Sequence, residues 1–584
     1  VVLIAFVIGL SFGVHFMGLL TIPAMGMLYF FKNYKTVTIR NFIVANLVMV
    51  AILLFIFKLL LPMTLKFFSA SEIFFINSIG LPFNSGTIIA GILFIALFYL
   101  LLRYTRNNDF VKLNTLLLSI LFIFIGFSSW IMLPVRANAG TVINENNPNN
   151  ARELLAYYNR EQYPETHLFH GPSFTEKYVG LDPNKPYKDD KPKFEKDQKN
   201  EKYIIVNDYV NASQNTDDSQ KGFFPRMWST EHSSNYMEFT GGLEYNIKRE
   251  YLGESRLVDI VKDFNQDIRE GKIGADDFDN FLKDFGPFLD IQKPTFMQNM
   301  AYMFEYQFGY MYWRYFMWNF SGRQDDKQGE YTDLHGNWLS GISFIDDARL
   351  GPQEFIASDA KNNKARNTYF MLPLLLGIIG ILFHFKNDPK NFWVLLIFFL
   401  FTGIALKIYL NERPFEPRER DYALVGSFYV FAMWIGFGVY ALFEIVKEKI
   451  KPKLAVPLVL AVTALAVPVL MGSQNWNDHD RSNRYTAQSM AKMYLDSCDE
   501  NAIIFTIGDN DTFALWYAQG IEGYRQDVRV VNTSLFQTDW YIDDMKKKAF
   551  NSDPIPSQLT HEKYKYGSRD FLFFQKTRKD TINI

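Results

Sequence analysis

The sequence predicts a polytopic α-helical membrane protein with sizeable polar regions outside the bilayer. Three observations lead there: apolar and charged residues are segregated, the apolar runs have bilayer length, and basic residues keep to alternate loops. The averages hide the first of these. Over 584 residues the net charge is only −2, yet long uncharged runs alternate with charge-rich stretches. Aromatic residues make up 17 % of the chain and 56 of them are Phe, a composition suited to lipid-facing helices and interfacial belts. No basic excess supplies the electrostatic footprint of nucleic-acid binding. Cys498 is the only cysteine, which excludes an intrachain disulfide framework and a cysteine-based zinc site.

Apolar runs long enough to cross a ~30 Å hydrocarbon core are found at 41–61, 86–102, 113–134, 369–385, 391–409, 423–446 and 454–471. The stretch 1–31 is too long for one simple span; Gly13 and His15 interrupt it, predicting helices 1–12 and 16–31 joined by a tight turn. Segment 62–85 is shorter and mixed and is assigned to the interface. The spans therefore group into 1–134 and 369–471. Val1 lies inside an apolar run with no initiator Met, charged n-region or cleavage site, so it does not open a signal peptide. The chain reads as a piece of a longer protein.

Orientation follows from basic residues in short loops. Alternate loops carry Lys32, Lys35 and Arg40; Arg103, Arg106 and Lys112; Lys386 and Lys390; and Lys447, Lys449, Lys451 and Lys453. These belong in the cytoplasm, which places 135–368 and 472–584 on the other side. Within 135–368, the Lys-, Asp- and Pro-rich segment 181–202 is expected to be a flexible insert. Segment 296–320, crowded with aromatics and Met and charged only at Glu305 and Arg314, reads either as a membrane-surface helix or as a buried helix of the polar region. In the tail, 502–507 and 527–532 read as strands flanking a helix over 511–519, an α/β unit.

The loop 410–421 (LNERPFEPRERD) is the most informative short segment. It lies on the face where basic residues are disfavoured, yet it carries Arg413, Arg418 and Arg420, balanced by Glu412, Glu416, Glu419 and Asp421. Guanidinium groups at the mouth of a helix bundle suit fork-like binding of phosphate oxygens; a solvated, self-paired charge cluster is the plainer alternative. A second polar set holds Arg136, Asn138, 144–147 and 159–163, including Glu161. A third holds Trp318, Asn319, Arg323, Gln324 and Asp325, followed by Gly336, Asn337 and Trp338. A ring face beside hydrogen-bonding side chains is what a sugar site needs, although each residue alone also fits an interfacial anchor or cap. His15 falls at the outer membrane edge. Asp509 and Asp511 read as helix caps before they read as a cation site, and no metal is expected. P-loop, HExxH and GxSxG patterns are absent, so ATP-driven transport, zinc proteolysis and serine hydrolysis lack support.

Six segments carry a resemblance: GLSFGVHFMGLLTIPAM (9–25), NENNPNNARELLAYYNREQYPE (144–165), YFMWNFSGRQDD (315–326), GNWLSGI (336–342), PRERDYALVGSFYVFAMWIGFG (417–438) and GDNDTFALWYAQGIEGYRQDVRVVN (508–532). They resemble a bacterial family of multi-pass membrane proteins of formerly unknown function, itself similar to the animal plexin-type protein O-mannosyltransferase. The resemblance runs from Gly9 to about residue 541 and implies a GT-C-like glycosyltransferase of the bacterial inner membrane with periplasmic domains. It implies a polyprenyl-phosphate sugar, mannose or a similar hexose, as donor and Ser or Thr of an exported protein as acceptor, with no separate cofactor. The family's Asp-Gly-Glu-like acidic element is not found before His15. The general base is therefore expected upstream of Val1, and this stretch alone is expected to be inactive. Residue type and topology assign the carrier phosphate to Arg418 and Arg420 with Arg136 as helper, and the orienting of those arginines to Glu419 and Asp421. His15, Glu161, Trp318, Asn319 and Arg323 are assigned to the sugar or acceptor pocket. Transfer to a lipid or polysaccharide, and a non-enzymatic transport or secretion role, are the competing readings; the charged residues within the spans (Lys58, Lys407, Glu444) all lie near an end, which counts against transport.

Overall fold

The computed structural model describes residues 1–161, 163, 167–416, 418–566 and 568; Gln162, Pro417 and the last residues of the expected tail domain lie outside that set. Six helices are long and apolar enough to cross a bilayer: Ile39–Asn77, Ser85–Asn107, Val111–Ala137, Pro389–Leu410, Asp421–Lys447 and Pro452–His479. Two shorter apolar helices, Val2–Ser11 and Leu372–Asn387, join them. This is a multi-pass membrane protein. Nine spans were expected, and the difference lies in the short elements. Segment 16–31 is split into a 3₁₀ turn, Phe16–Thr21, and the helix Ile22–Asn33. His15 is the cause, because its side chain accepts the Met17 N–H at 3.2 Å and opens a new turn there.

Segment 62–85 does not form a separate interfacial piece. Leu61–Asn77 continues the helix that starts at Ile39, across a widened π turn at Phe55–Leu60. Pro62 explains the widening: it has no N–H to donate, and its ring would crowd the carbonyl one turn back. Further along, the buried Glu72 carboxylate accepts Asn84 N–H (2.6 Å), Thr87 N–H (2.7 Å), Thr87 Oγ1–H (2.8 Å) and Tyr203 O–H (3.3 Å). Such saturation is what makes a buried carboxylate tolerable. It fastens the start of the helix Ser85–Asn107 to its neighbour, close enough that a Cβ on Gly86 would lie 2.6 Å from Glu72 Cα.

Residues 181–202, expected to be flexible, are folded. Tyr187–Lys188 pairs with Ser213–Gln214, and Phe194–Asp197 pairs with Lys202–Ile205, both antiparallel. Composition misleads here because the support is polar and long-range. Asp197 accepts the Lys199 and Asn200 N–H groups in the hairpin turn, and the Asn77 amide exchanges two 2.8 Å bonds with the Tyr203 backbone. The tail adds Lys193–Asp539 at 3.0 Å and His561, which bridges Glu195 (3.2 Å) and Asp543 (3.0 Å). The tail unit itself is Ile503–Thr506 and Arg529–Asn532 in parallel, connected through Asp509–Gly520. Asp511 caps that helix by accepting the Ile507 and Gly508 N–H groups. The other ladders of the described residues are antiparallel pairs of two strands.

Segment 296–320 takes the buried alternative along its inner face. Tyr302, Tyr306 and Met311 join the core of the polar region, while Phe316 and Phe320 pack with Phe431 and Trp434 of the helix Asp421–Lys447. One helical run thus belongs to both cores. Beside it, the fully buried Arg226 donates to Gln307 Oε1 (2.9 and 2.6 Å), Ile408 O (3.0 Å) and Lys407 O (3.4 Å). The last two are end carbonyls of the helix Ile404–Leu410, where a cation is favoured. Burial pulls the Arg226 guanidinium down to about 10, which leaves it charged at neutral pH.

Arg226→Met keeps the packing volume but takes away the donors to Gln307 Oε1 and Ile408 O, while Lys407 O keeps the Asn411 N–H. A loss of about 2–4 kcal/mol is expected, read as an early thermal transition in detergent; an unchanged melting temperature would refute the capping role. The hydrogen bonds from Asp543 and Glu195 raise His561 from 6.5 to about 10. Its contribution is therefore complete below about pH 6.5 and fades as pH rises through about 10. The destabilisation of His561→Gln relative to wild type should shrink over that window, and a pH-independent difference would exclude the ionic bridge.

Candidate functional site

Three chain segments build the site, and each is fixed by backbone pairing or by saturated polar side chains. Gly322–Arg323 pairs with Asn367–Thr368. Gly322 has φ +146°, and a Cβ there would fall 2.3 Å from Asn367 O, so the close approach requires glycine. The same ladder holds the end of the helix Pro452–His479. Thr368 N–H donates to Gln474 Oε1 (2.7 Å), Gln474 Nε2 to Thr368 O (2.9 Å), and Asn367 Nδ2 to Asn475 Oδ1 (3.0 Å) and Asp478 Oδ2 (3.1 Å). The next residues fold onto 333–338: Gln324 and Asn337 bond each other, and Asp325 accepts from Gly336 N–H (3.0 Å) and contacts His335 Nδ1 (2.7 Å). Asp325 and Gln324 are buried, so they hold the wall and do not line it.

Between these segments lies a cavity of about 720 Å³, within the usual range of ligand sites. Its lining includes Trp318, Asn319 and Arg323; Arg418, Glu419 and Asp421; and Asn475, Trp476, Asp478 and His479. The third polar set and the arginine loop, about a hundred residues apart in sequence, meet there. Trp318 is buried, with the guanidinium groups of Arg314 and Arg323 over its ring at 4.6 and 4.5 Å. Arg314 pairs with Glu419 and donates to the carbonyls of Gly336 and Tyr310. Among the described residues Arg323 Nε and Trp318 Nε1 are buried without hydrogen-bond partners. Burial lowers the Arg323 pKa below its ordinary value, against the pull of Asp478 and Asp326. Among the described residues neither Arg323 nor the exposed Arg418 has a carboxylate within ion-pair distance.

Arg420 differs. It lines a small adjoining pocket, and its guanidinium is held by Glu416 at 3.0 Å and Glu412 at 3.8 Å. Burial lowers its pKa, but the Glu416 hydrogen bond and the charges of Glu416 and Glu412 together leave it above the ordinary value. Glu412 also takes the buried Lys407 at 2.5 Å. The self-paired alternative therefore describes Arg420 but not its neighbour Arg418. The expected orienting roles also change, because Glu419 holds Arg314 and the arginine loop's own glutamates hold Arg420. Asp421 forms no ion pair with either arginine. Trp318, expected to stack a sugar, has its ring taken up by arginines.

Three expected residues stay outside the cavity lining. Arg136 is exposed near the end of Val111–Ala137. Glu161 pairs with Arg152 at 3.1 Å. His15 is exposed and caps its own turn, with its ring 6.2 Å from that of Tyr422. The sequence reading missed Arg314 and the group Asn475, Trp476, Asp478 and His479. The second was findable: the run NWNDHD directly after the last apolar stretch has the same Trp-with-amide-and-acid signature as 318–325. Arg314 gave no such signal, because its partner Glu419 is supplied only by folding.

Residues 1–38 match the Protein O-mannosyl-transferase TMEM260 N-terminal domain. Residues 487–584 match TMEM260-associated domain 2, and residues 164–304 a family of unknown function (DUF8416). Together these matches support a relation to TMEM260. The cavity-lining residues fall outside all three matched segments. No curated protein and no solved structure matches the chain.

Gly322→Ala should push the Gly322–Arg323 strand off Asn367 and loosen the wall of the cavity. A destabilisation of about 2–4 kcal/mol is expected, with 322–323 and 367–368 losing hydrogen-exchange protection first; native protection there would refute the required close approach.

Proposed function

We propose that this protein is a membrane glycosyltransferase that moves a hexose, mannose or a near relative, from a polyprenyl-phosphate carrier to Ser or Thr of exported proteins. The reaction takes place on the non-cytoplasmic face. One observation carries the reading: two arginines with no carboxylate partner among the described residues, Arg323 and Arg418, line one polar cavity at the end of the membrane helices. The helix Asp421–Lys447 separates that cavity from the basic loop 447–453 by about 40 Å at 1.5 Å per residue. Basic short loops favour the cytoplasm, so the cavity falls on the opposite side, where a carrier's phosphate would sit with its tail in lipid. The match of residues 1–38 to a protein O-mannosyl-transferase domain supports the sugar and the acceptor class.

The chemistry is a displacement at the anomeric carbon. The acceptor oxygen forms the new C–O bond while its proton passes to a base. The sugar–phosphate C–O bond breaks, and the carrier phosphate leaves with the electron pair. That leaving group is good, so the main task is to hold and neutralise it. Guanidinium forks already in place do this without reorganisation. Arg418 and Arg323 fill the role in this reading; Arg420, held by two glutamates, shapes the loop that carries Arg418.

The test is transfer from polyprenyl-phospho-mannose to a Ser/Thr-rich exported protein by the full-length protein. Arg418→Lys and Arg323→Lys keep charge but lose the fork, and each should cut turnover by about 30- to 1000-fold with normal membrane insertion. Lys386→Gln, at the other end of the bundle, serves as the silent control. Near-wild-type turnover in both arginine variants would end the clamp assignment.

A further inference from the structure

We infer that Trp476 and Asp478 form a pyranose subsite in this cavity, with Trp476 as the stacking platform and Asp478 as a hydroxyl acceptor; the inference rests on the transferase reading above. A sugar ring presents an apolar C–H face and a rim of hydroxyls. It needs an uncovered aromatic face with hydrogen-bonding groups beside it. Trp318 cannot offer one, since it is 7 % exposed and lies against two guanidinium groups. Tyr315 and Tyr369, also in the lining, are 8 % and 2 % exposed. Trp476 is 74 % exposed and lines the same cavity, so it is the one lining indole whose ring is open.

Its neighbours are held in place. Asn475 accepts from Asn367 Nδ2 at 3.0 Å and donates to Met471 O at 2.9 Å and to the Tyr369 hydroxyl. Its donors are spent, which makes it a positioning residue for the turn that carries Trp476. Asp478 accepts from the same Asn367 amide through Oδ2 at 3.1 Å. Among the described residues its Oδ1 has no hydrogen-bond partner, so that oxygen is left to accept from a hydroxyl. A hexosyl phosphate joins sugar and phosphate through one oxygen, so the sugar must lie beside the phosphate-binding arginines. Arg323 and Arg418 share this lining.

The position also suits a plain interfacial anchor, since Trp is common at the ends of membrane helices. The test separates the two. The full-length protein in detergent is titrated with polyprenyl-phospho-mannose and, separately, with polyprenyl phosphate lacking the sugar. Wild type should bind the sugar-bearing donor more tightly. Trp476→Ala and Asp478→Asn should each weaken donor binding by about tenfold or more while leaving sugar-free carrier affinity unchanged, and Trp476→Phe should stay within about threefold of wild type. If both variants bind the donor as wild type does, or if wild type never distinguishes donor from sugar-free carrier, the subsite is overturned while the carrier reading stands. If Trp476→Ala lowers membrane yield and leaves the donor preference intact, Trp476 is an anchor and the subsite is again overturned. Failure of wild type to bind either lipid would instead sink the transferase reading.

Discussion

The buried guanidinium of Arg314 is the tie on which the geometry of the site depends. A cation removed from water costs several kcal/mol unless its donors are met, and Arg314 is met by Glu419, Gly336 O and Tyr310 O. Those partners belong to three places: the arginine loop, the 321–338 fold-back and its own helix. Satisfying one side chain therefore draws all three together. Tyr310 and Trp318 add ring faces at 4.2 and 4.6 Å. Because Glu419 is committed to Arg314, and Glu412 and Glu416 to Arg420, the loop's nearby glutamates are all taken before Arg418 is reached. The charge left over at the cavity is a consequence of how the buried charges are paired.

The same rule recurs where the polar region meets the membrane helices. Arg226 closes the end of Ile404–Leu410, Glu72 closes the turn before Ser85–Asn107, and Asn77 receives the Tyr203 backbone. Each is buried or half-buried with its bonds to another segment made. Together with the aromatic run from Tyr302 to Phe320, which contributes to both cores, they leave the polar region a continuation of the bundle. A site at that junction can have one wall apolar enough for lipid and another polar enough for a sugar phosphate.

Much of this was legible beforehand. The spans at 86–102, 113–134, 391–409, 423–446 and 454–471 show in the sequence because burial in lipid demands long uninterrupted apolar runs. Six of the residues assigned to the site, Trp318, Asn319, Arg323, Arg418, Glu419 and Asp421, do line one cavity. They were findable because polar clusters directly beside apolar runs are costly and stand out. Arg136, Glu161 and His15 had the same local signature and lie elsewhere; a signature of that kind records proximity to the membrane edge, which many residues share. The folding of 181–202 was hidden for the opposite reason, since its supports, Asn77, Asp539 and His561, are distant in sequence.

The sequence by itself determined the class of molecule: a multi-pass membrane protein with charge-rich regions between its spans. That information is local, carried by run length and by the solvation cost of each side chain in lipid. Only the tertiary structure decided which charges are spent and which remain. Arg418 and Arg420 are two residues apart and chemically identical, yet Arg420 is neutralised by Glu416 and Glu412 while Arg418 has no such partner among the described residues. Trp318 and Trp476 likewise look alike in sequence, but folding covers one with arginines and leaves the other open. Pairing and exposure depend on distances of a few ångströms between segments far apart in the chain, and no local pattern encodes them.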